Sequence, residues 1–598
     1  MKDCNKIYEK RKNKYLQISK KVSKTMGLVS ILRIIAIGIS IAIIFLRDNG
    51  DYFSFILGSI SIGIFIYLVI LHNGLKVKYR YICNLKGINH LKIERSNGKW
   101  TQFKDDGEEF KNDKHSFSED LDIFGQGSLF QLINKGRTSM GRKRLANILT
   151  TPCDTKEAII KRQEAINELS SKRWWRDRLE VEGMMSIDKD INKKELINWI
   201  NDRDKLYSNS LIIALINLMP LITISSIILN HFGKLSIYIP LALIGVQGLL
   251  LSINIGSRNR KFGLVSKYQD NLKGYKMILK HIERGNFKSE HLKELKGRLK
   301  DENMSAYNQM KRLEKIVQST NNRRNMLFFP INIILLWDYR CLIKIERFKG
   351  QGGLKIGQWL EVIGEMEALS SLATLGYNNP KWSTPIIANE PSTIRIKEIF
   401  HPLLIDNPVS NDVTIKEPSR ILLITGSNMS GKSTFLRTIG INLVLAYTGA
   451  KVCASTMVTS IMNIQTCMRT KDNMEKGVSS FYAELKRIEK IIVASQGTKQ
   501  VFFLLDEILK GTNSFDRHTG AKMILKQLYN NNGMGLVSTH DLELGELEEE
   551  TKGSIKNYHF EEYYNNNKIY FDYKLKNGIS NTRNALYLLR MIGIGDTN

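Results

Sequence analysis

The sequence predicts an α/β domain at its C-terminal end, an all-helical body ahead of it, and four membrane-crossing helices in two hairpins. Three observations predict this. From about Arg395 short apolar strands alternate with helices, the texture of an α/β domain. Between Ser116 and Ile200, and from Lys261 to Arg324, charged stretches carry apolar residues at helical spacing. Four runs with almost no charge approach the ~20 residues that cross a bilayer as a helix. The resulting division is a basic cytoplasmic N-terminus (1–26), a first hairpin (27–72), a linker and helical core (73–205), a second hairpin (206–256), a helical lever and core (257–394) and the α/β domain (395–598).

The first hairpin comprises Val29–Leu46, with Arg33 its only charge, and Tyr52–Leu71, joined by a very short link. The second comprises Leu211–Leu229 and Ile237–Ile255, interrupted by Asn217, Pro220 and Pro240. Core helices of a water-exposed protein are the competing reading. Basic residues cluster outside the two short links, from Lys6 to Lys24, at Lys76–Arg80 and at Arg258–Lys261. The positive-inside rule then predicts a multi-pass cell-membrane protein with both termini and all large segments cytoplasmic. A fifth apolar stretch, Met326–Trp337, is too short to span and is expected to be a buried core segment.

In the helical body, Ser128–Leu149 and Glu157–Leu179 read as two helices, and Trp359–Leu375 as another after a break at Gly350–Gly353. The net charge of +29 fits a footprint for nucleic acid or anionic lipid, or simply a composition rich in Lys, Ile and Asn. Six widely spaced cysteines with no C-x-x-C pair suggest neither a zinc site nor a disulfide framework.

The chemistry lies in the α/β domain. The strand Arg420–Thr425 runs into Gly426-Ser-Asn-Met-Ser-Gly-Lys432-Ser433-Thr434 and then a helix, Phe435–Tyr447. This is G-x-x-x-x-G-K-[ST] in its strand–loop–helix setting, a phosphate-binding loop for ATP. Gly426, Asn428, Gly431 and Thr434 belong to the cradle, whose backbone N–H groups face phosphate oxygens. Lys432 is expected at the β- and γ-phosphates and Ser433 on Mg²⁺. A second strand, Val501–Leu505, delivers Asp506 and Glu507. Asp506 is expected to hold Mg²⁺ through water, and Glu507 to polarise the attacking water. A third, Gly535–Ser538, ends at Thr539-His540, where the histidine can sense the γ-phosphate.

These motifs resemble the ATPase domain of the MutS family of DNA mismatch-repair proteins. TGSNMSGKSTFLRTIG is similar to the family's TGPNMGGKST, LLDEILKGTNSFDR to its DEIGRGTS-x-x-DG, and STHDLEL to its ATH-x-x-EL. GVSSFYAEL (477–485) resembles the family segment that enters the partner subunit's nucleotide site, which implies a homodimer with Ser479 at the γ-phosphate in trans. HPLL and VSND (401–412) resemble the segment upstream of the loop, making Asn411 a nucleotide contact or an ordinary turn residue. Tyr573, in IYFDYKL, stands as an adenine-stacking residue or an ordinary strand aromatic. LFQLINKGRTSMGRKRLANILTTP (129–152) and WLEVIGEMEALSSLA (359–373) are similar to the family's helical core and lever.

The departures matter as well. The mismatch-reading and connector domains are missing, and the second hairpin stands where the family's clamp is inserted. Phe117-Ser118-Glu119 and Phe560-Glu561-Glu562 match the mismatch-reading Phe-x-Glu in three letters only, a chance-level match outside any reader domain. The resemblance therefore implies a membrane-anchored ATPase with ATP and Mg²⁺ as cofactors. Its basic arms would approach duplex DNA or membrane lipid without mismatch preference. A transporter is the alternative, because the ATPase domain belongs to the wider ABC-like class. No LSGGQ-type signature and no ionisable pair within the spans supports it. A scaffold with a dead ATPase is the third reading, opposed by the intact Lys432, Ser433, Asp506 and Glu507.

Overall fold

A computed structural model describes residues 2–45, 52–185, 193–301, 304–321, 328–351, 353–404, 408–427, 429–469, 480–565 and 568–580. The first hairpin is two long antiparallel helices, α1 (Lys2–Phe45) and α2 (Tyr52–Ser96). They run unbroken through the boundaries drawn at residues 26 and 72. In the apolar half, small residues allow close approach: Ser61 Oγ donates to Ala36 O at 2.9 Å, and Ser40 and Ser61 are bonded at 2.9 Å. The outward residues are large and apolar, and Ile34 and Ile70 are 69 % and 66 % exposed. The charged half is a stalk. Lys6, Lys10, Lys14, Lys20, Lys21 and Lys24 face outward, while Tyr8 and Arg11 are buried against the body. Arg11 Nη1 donates to Asp177 Oδ2 at 3.0 Å, Lys92 pairs with the other oxygen, and Tyr8 donates to Asn378 at 2.7 Å. The N-terminal basic segment is thus a structural arm of the body.

In the body, the predicted helix over 128–149 is two, Leu129–Ile133 and α3 (Ser139–Thr150). The chain folds back at Gly136, where a Cβ would lie 3.1 Å from the backbone of Arg142. Thr138 then caps α3 by accepting from Gly141 N at 3.1 Å. The predicted helix over 157–179 likewise divides at Lys172 into α4 (Lys156–Ser171) and α5 (Arg173–Met185). The lever, α5's neighbour α6 (Ile356–Asn378), is buried along nearly its whole length, because α3 and α4 both pack on it.

The second hairpin pairs the helices Ser210–His231 and Tyr238–Ser252. Among the described residues, three helices are long and apolar enough to cross a membrane: α1, α2 and Ser210–His231. The fourth segment is broken, turning by 64° into Ile255–Gly263. The break has a local cause. Asn254 takes a positive φ of 54°, and Arg258 turns back to donate to Leu251 O and, at 3.0 Å, to Ile253 O. Arg258 also pairs with Asp338 at 3.2 Å, both side chains being 3 % exposed. It is a buried cap, not a flanking surface charge. The stretch expected as buried core, 326–337, lies partly outside the described residues. Its helix Phe329–Leu335 has no buried residue, and Phe329 is 66 % exposed. It lies against the second hairpin and extends that apolar surface.

The α/β domain holds a six-stranded sheet. Its strands are β1 (Ile421–Thr425), β2 (Asn463–Cys467), β3 (Val501–Asp506), β4 (Met534–Ser538), β5 (Ile555–His559) and β6 (Lys576–Asn577), in the order β6-β5-β1-β4-β3-β2. All are parallel except the edge strand β6. Strands β1, β3 and β4 are buried at every position, as expected for a parallel sheet covered on both faces. A second, four-stranded sheet joins 386–387, 394–399, 411–415 and 456–459.

Candidate nucleotide site

Because β1, β3 and β4 are adjacent and parallel, their carboxyl ends meet at one edge, where α/β sheets bind ligands. Ser538 pairs with Asp506 on one side and Ile424 on the other. β1 enters the loop at Gly426, whose φ is 146°, and Gly431 precedes the helix α7 (Lys432–Tyr447) with φ 102°. Only glycine takes those values without strain. Lys432 is buried, and its ammonium donates to Gly426 O at 2.9 Å and Ser427 O at 2.8 Å. Burial pushes its pKa down, against the opposing pull of Glu507 and Asp506.

Asp506 ends β3, buried, and accepts from the Ser538 hydroxyl. Glu507 follows in a left-handed conformation, φ 51°, with its N–H donating to Ser538 O at 3.0 Å. That twist turns its carboxylate toward β4. His540 Nε2 donates to Glu507 Oε1 at 2.9 Å, and Lys510 Nζ lies 3.0 Å from Oε2. Lys432 Nζ is 3.5 Å from the same His540 nitrogen. The hydrogen bond from His540 is the largest influence on Glu507 and, with Lys510, lowers its pKa to about 2 despite partial burial.

A cavity of about 550 Å³ opens at these tips, and Lys432, Ser433, Thr434, Glu507, Asn411 and Tyr573 all line it. The structure brings together every described residue that the sequence assigned to the site. Asn428 and Ser479 lie outside the described residues. Asn411, besides lining the cavity, has a structural part. Its amide donates to Tyr573 O at 3.0 Å and accepts from Leu575 N at 2.8 Å, so it clamps the Tyr573 segment. The Tyr573 ring in turn covers the phosphate loop, 3.1 Å from where a Cβ on Gly431 would stand. The hydroxyl of Ser433 and the carboxylates of Asp506 and Glu507 are hard oxygen donors, a set that suits Mg²⁺.

Three supporting residues were given no individual role by the sequence, although two of them, Phe481 and Glu484, lie within GVSSFYAEL. Glu484, on the helix Ser480–Ser495, accepts from Leu509 N. Phe481 packs on Gly511, where a Cβ would come within 2.8 Å. The end of the GVSSFYAEL segment is thereby tied to the turn after Glu507. Asp120, fully buried, accepts from Thr466 Oγ1 at 2.7 Å, Met468 N at 3.1 Å and Arg469 N at 3.1 Å. Its neighbour Asp122 holds Arg469 at 2.6 Å and Arg437, on α7, at 3.4 Å. Both Phe-x-Glu matches resolve into structure: Phe117 and Phe560 are buried, Phe560 edge-on to Phe435 at 5.6 Å.

Comparison with known proteins agrees with this arrangement. The family model for MutS domain V matches residues 422–597, and that for MutS domain III matches residues 110–373. The chain belongs to the MutS family. The DNA mismatch repair protein MutS of Aquifex pyrophilus is 28 % identical over 512 residues, covering 78 % of this chain and 58 % of its own length. That of Persephonella marina is 29 % identical over 270 residues, 43 % of this chain and 30 % of its own. That of Listeria monocytogenes serovar 1/2a is 32 % identical over 223 residues, 36 % and 25 %. The chain thus spans less than two thirds of these MutS relatives. In MutS terms, the Asp120–Arg469 and Asp122–Arg437 contacts join domain III to domain V, and the second hairpin falls inside the domain III match.

Proposed function

We propose that this MutS-family chain is a membrane-anchored ATPase that works as a homodimer and meets DNA without reading mismatches. The observation that carries the ATPase reading is the convergence of Lys432, Glu507 and His540 on the cavity lined by Ser433 and Tyr573. Lys432 would exchange the carbonyls of Gly426 and Ser427 for phosphate oxygens, and the α7 N-terminus adds its partial positive charge. Ser433 and Asp506 would hold Mg²⁺, which neutralises charge developing on the phosphates. Glu507 stays ionised at neutral pH and orients the attacking water. Bound to both His540 and Lys510 it is a weak base, so hydrolysis requires those bonds to loosen when His540 turns to the γ-phosphate.

The trans contribution of Ser479 is supported by the anchoring of the helix Ser480–Ser495, through Glu484 and Phe481, to the turn that follows Glu507. Membrane anchoring is supported by the exposed apolar surface of α1, α2 and Ser210–His231, each of spanning length. The bent fourth segment completes the second hairpin beside Phe329–Leu335.

Detergent-purified full-length protein, assayed for Mg²⁺-dependent ATP hydrolysis with and without duplex, mismatched and branched DNA, tests the proposal. Hydrolysis that responds equally to matched and mismatched duplex is the expected result. Absence of hydrolysis refutes the ATPase reading, and stimulation by mismatched duplex alone refutes the DNA reading.

A further inference from the structure

The stalk helix α2 and the body border another, half-open cavity, of about 340 Å³, which shares no lining residue with the nucleotide cavity and carries an unbalanced charge. Lys92, Arg95, Lys104, Lys135 and Arg137 line it, against Asp105 and Glu180. The carboxylates around it are already committed. Asp177 takes Arg11 and Lys92, Glu180 takes Arg137 at 2.6 Å, and Asp105 takes Arg142 at 3.0 Å. Lys135 is left over. It is only 9 % exposed, and its ammonium forms neither a hydrogen bond nor an ion pair with any described residue. Beside it, the Nε–H groups of Arg95 and Arg137 are buried without acceptors.

A buried, uncompensated cation is costly, and a guanidinium cannot shed its charge to escape the cost. Lys135 can, and burial together with Lys92 pushes its pKa well down. Such a cluster is stabilised by an anion with several acceptor oxygens. We infer that this cavity is a binding site for a small phosphate-bearing anion, held by Lys135, Arg95 and Arg137. Arg95 belongs to the stalk and the other two to the body, so the anion bridges them. The same phosphate chemistry occurs on lipid headgroups, but geometry favours the free anion. Arg95 lies about 24 residues beyond Leu71 on one unbroken helix, ~36 Å from the end of the apolar run.

The test uses full-length protein in neutral detergent, carrying Lys432→Ala to silence the nucleotide loop, with Mg²⁺-free inorganic pyrophosphate as probe. Calorimetry is expected to show binding, and pyrophosphate is expected to raise the melting temperature. Adding Lys135→Met should weaken binding by about tenfold or more, the loss of one charge-assisted contact. The melting temperature of that variant without pyrophosphate should be unchanged or higher, since a buried amine without a hydrogen-bond partner has gone. If Lys135→Met does not fold, Arg95→Gln is read in its place, with the same expected loss. Equal affinity with and without Lys135, or no binding at millimolar pyrophosphate, overturns the site. Stabilisation by phosphatidylglycerol vesicles that depends on Lys135, with none from pyrophosphate, overturns the free-anion assignment.

Discussion

His540 Nε2 stands 2.9 Å from Glu507 Oε1, across the gap between the tips of two adjacent strands, and joins the proposed sensor of phosphate to the carboxylate expected to act on water. The pair fixes where each residue can fail.

Glu507→Gln keeps the shape of the site but removes the charge that orients water. It is expected to bind ATP and to lose hydrolysis by roughly 100-fold or more. Lys432→Ala is expected to lose nucleotide affinity. Equilibrium ATP binding and single-turnover hydrolysis separate the two, and unchanged turnover in Glu507→Gln refutes its assignment.

The same bond sets an acid limit. Glu507 titrates at about 2, below its ordinary 4.5, because His540 and Lys510 donate to it. A depressed carboxylate contributes stability above its unfolded pKa, and that stability is lost as pH falls through the folded value. His540→Ala removes the largest stabilising influence, so Glu507 should protonate closer to 4.5. The acid limb of the kcat profile is expected to move upward in that variant. An unmoved limb shows that another group governs it.

Asp120→Ala leaves the Thr466 hydroxyl and two backbone N–H groups without their acceptor. A cost of about 3–5 kcal/mol is expected, read as a fall in melting temperature or denaturation midpoint. Asp122→Asn should cost less in stability, because its partners are partly exposed. It is expected to weaken any response of ATP turnover to DNA.

The proposed topology places the two hairpin links outside the cytoplasm. Cysteine introduced at Asn49 or Phe232 should be labelled by an impermeant reagent in intact cells. Labelling at a cysteine in the phosphate loop instead reverses the orientation.

Contacts from lysine and arginine to phosphates weaken steeply with salt and carry no sequence information. The full-length protein in neutral detergent is expected to bind homoduplex and single-mismatch DNA equally, with affinity falling sharply between two salt concentrations. A clear preference for the mismatch refutes this reading.

The residues of the candidate nucleotide site could mostly be named from the sequence because their spacing is local. A strand, a glycine-bearing loop and a helix in succession place Gly426 to Thr434, and apolar strands deliver Asp506 and His540 to the same edge. What stayed hidden depends on distant pairing. Nothing near Asp120 announces that it receives Thr466 and Arg469, over 340 residues away. Asn411 was legible as a site residue, yet its clamp on Tyr573 needed the fold. Polarity concealed the stalks, since the apolar runs stop while the helices continue. Arg258 read as a flanking charge because sequence cannot show that its guanidinium turns back to cap a broken helix.

The unbroken passage of α1 and α2 from apolar run to charged stalk bears on where the protein can operate. Were the apolar ends to lie in a bilayer, as proposed, the stalks would hold the α/β domain off the surface at a distance the chain cannot relax. Its encounters would then be confined to a thin layer along the membrane. Within that layer two copies would meet by lateral diffusion, so their local concentration would follow their density in the plane and not the volume of the cell. Only nucleic acid that entered the layer would be within reach.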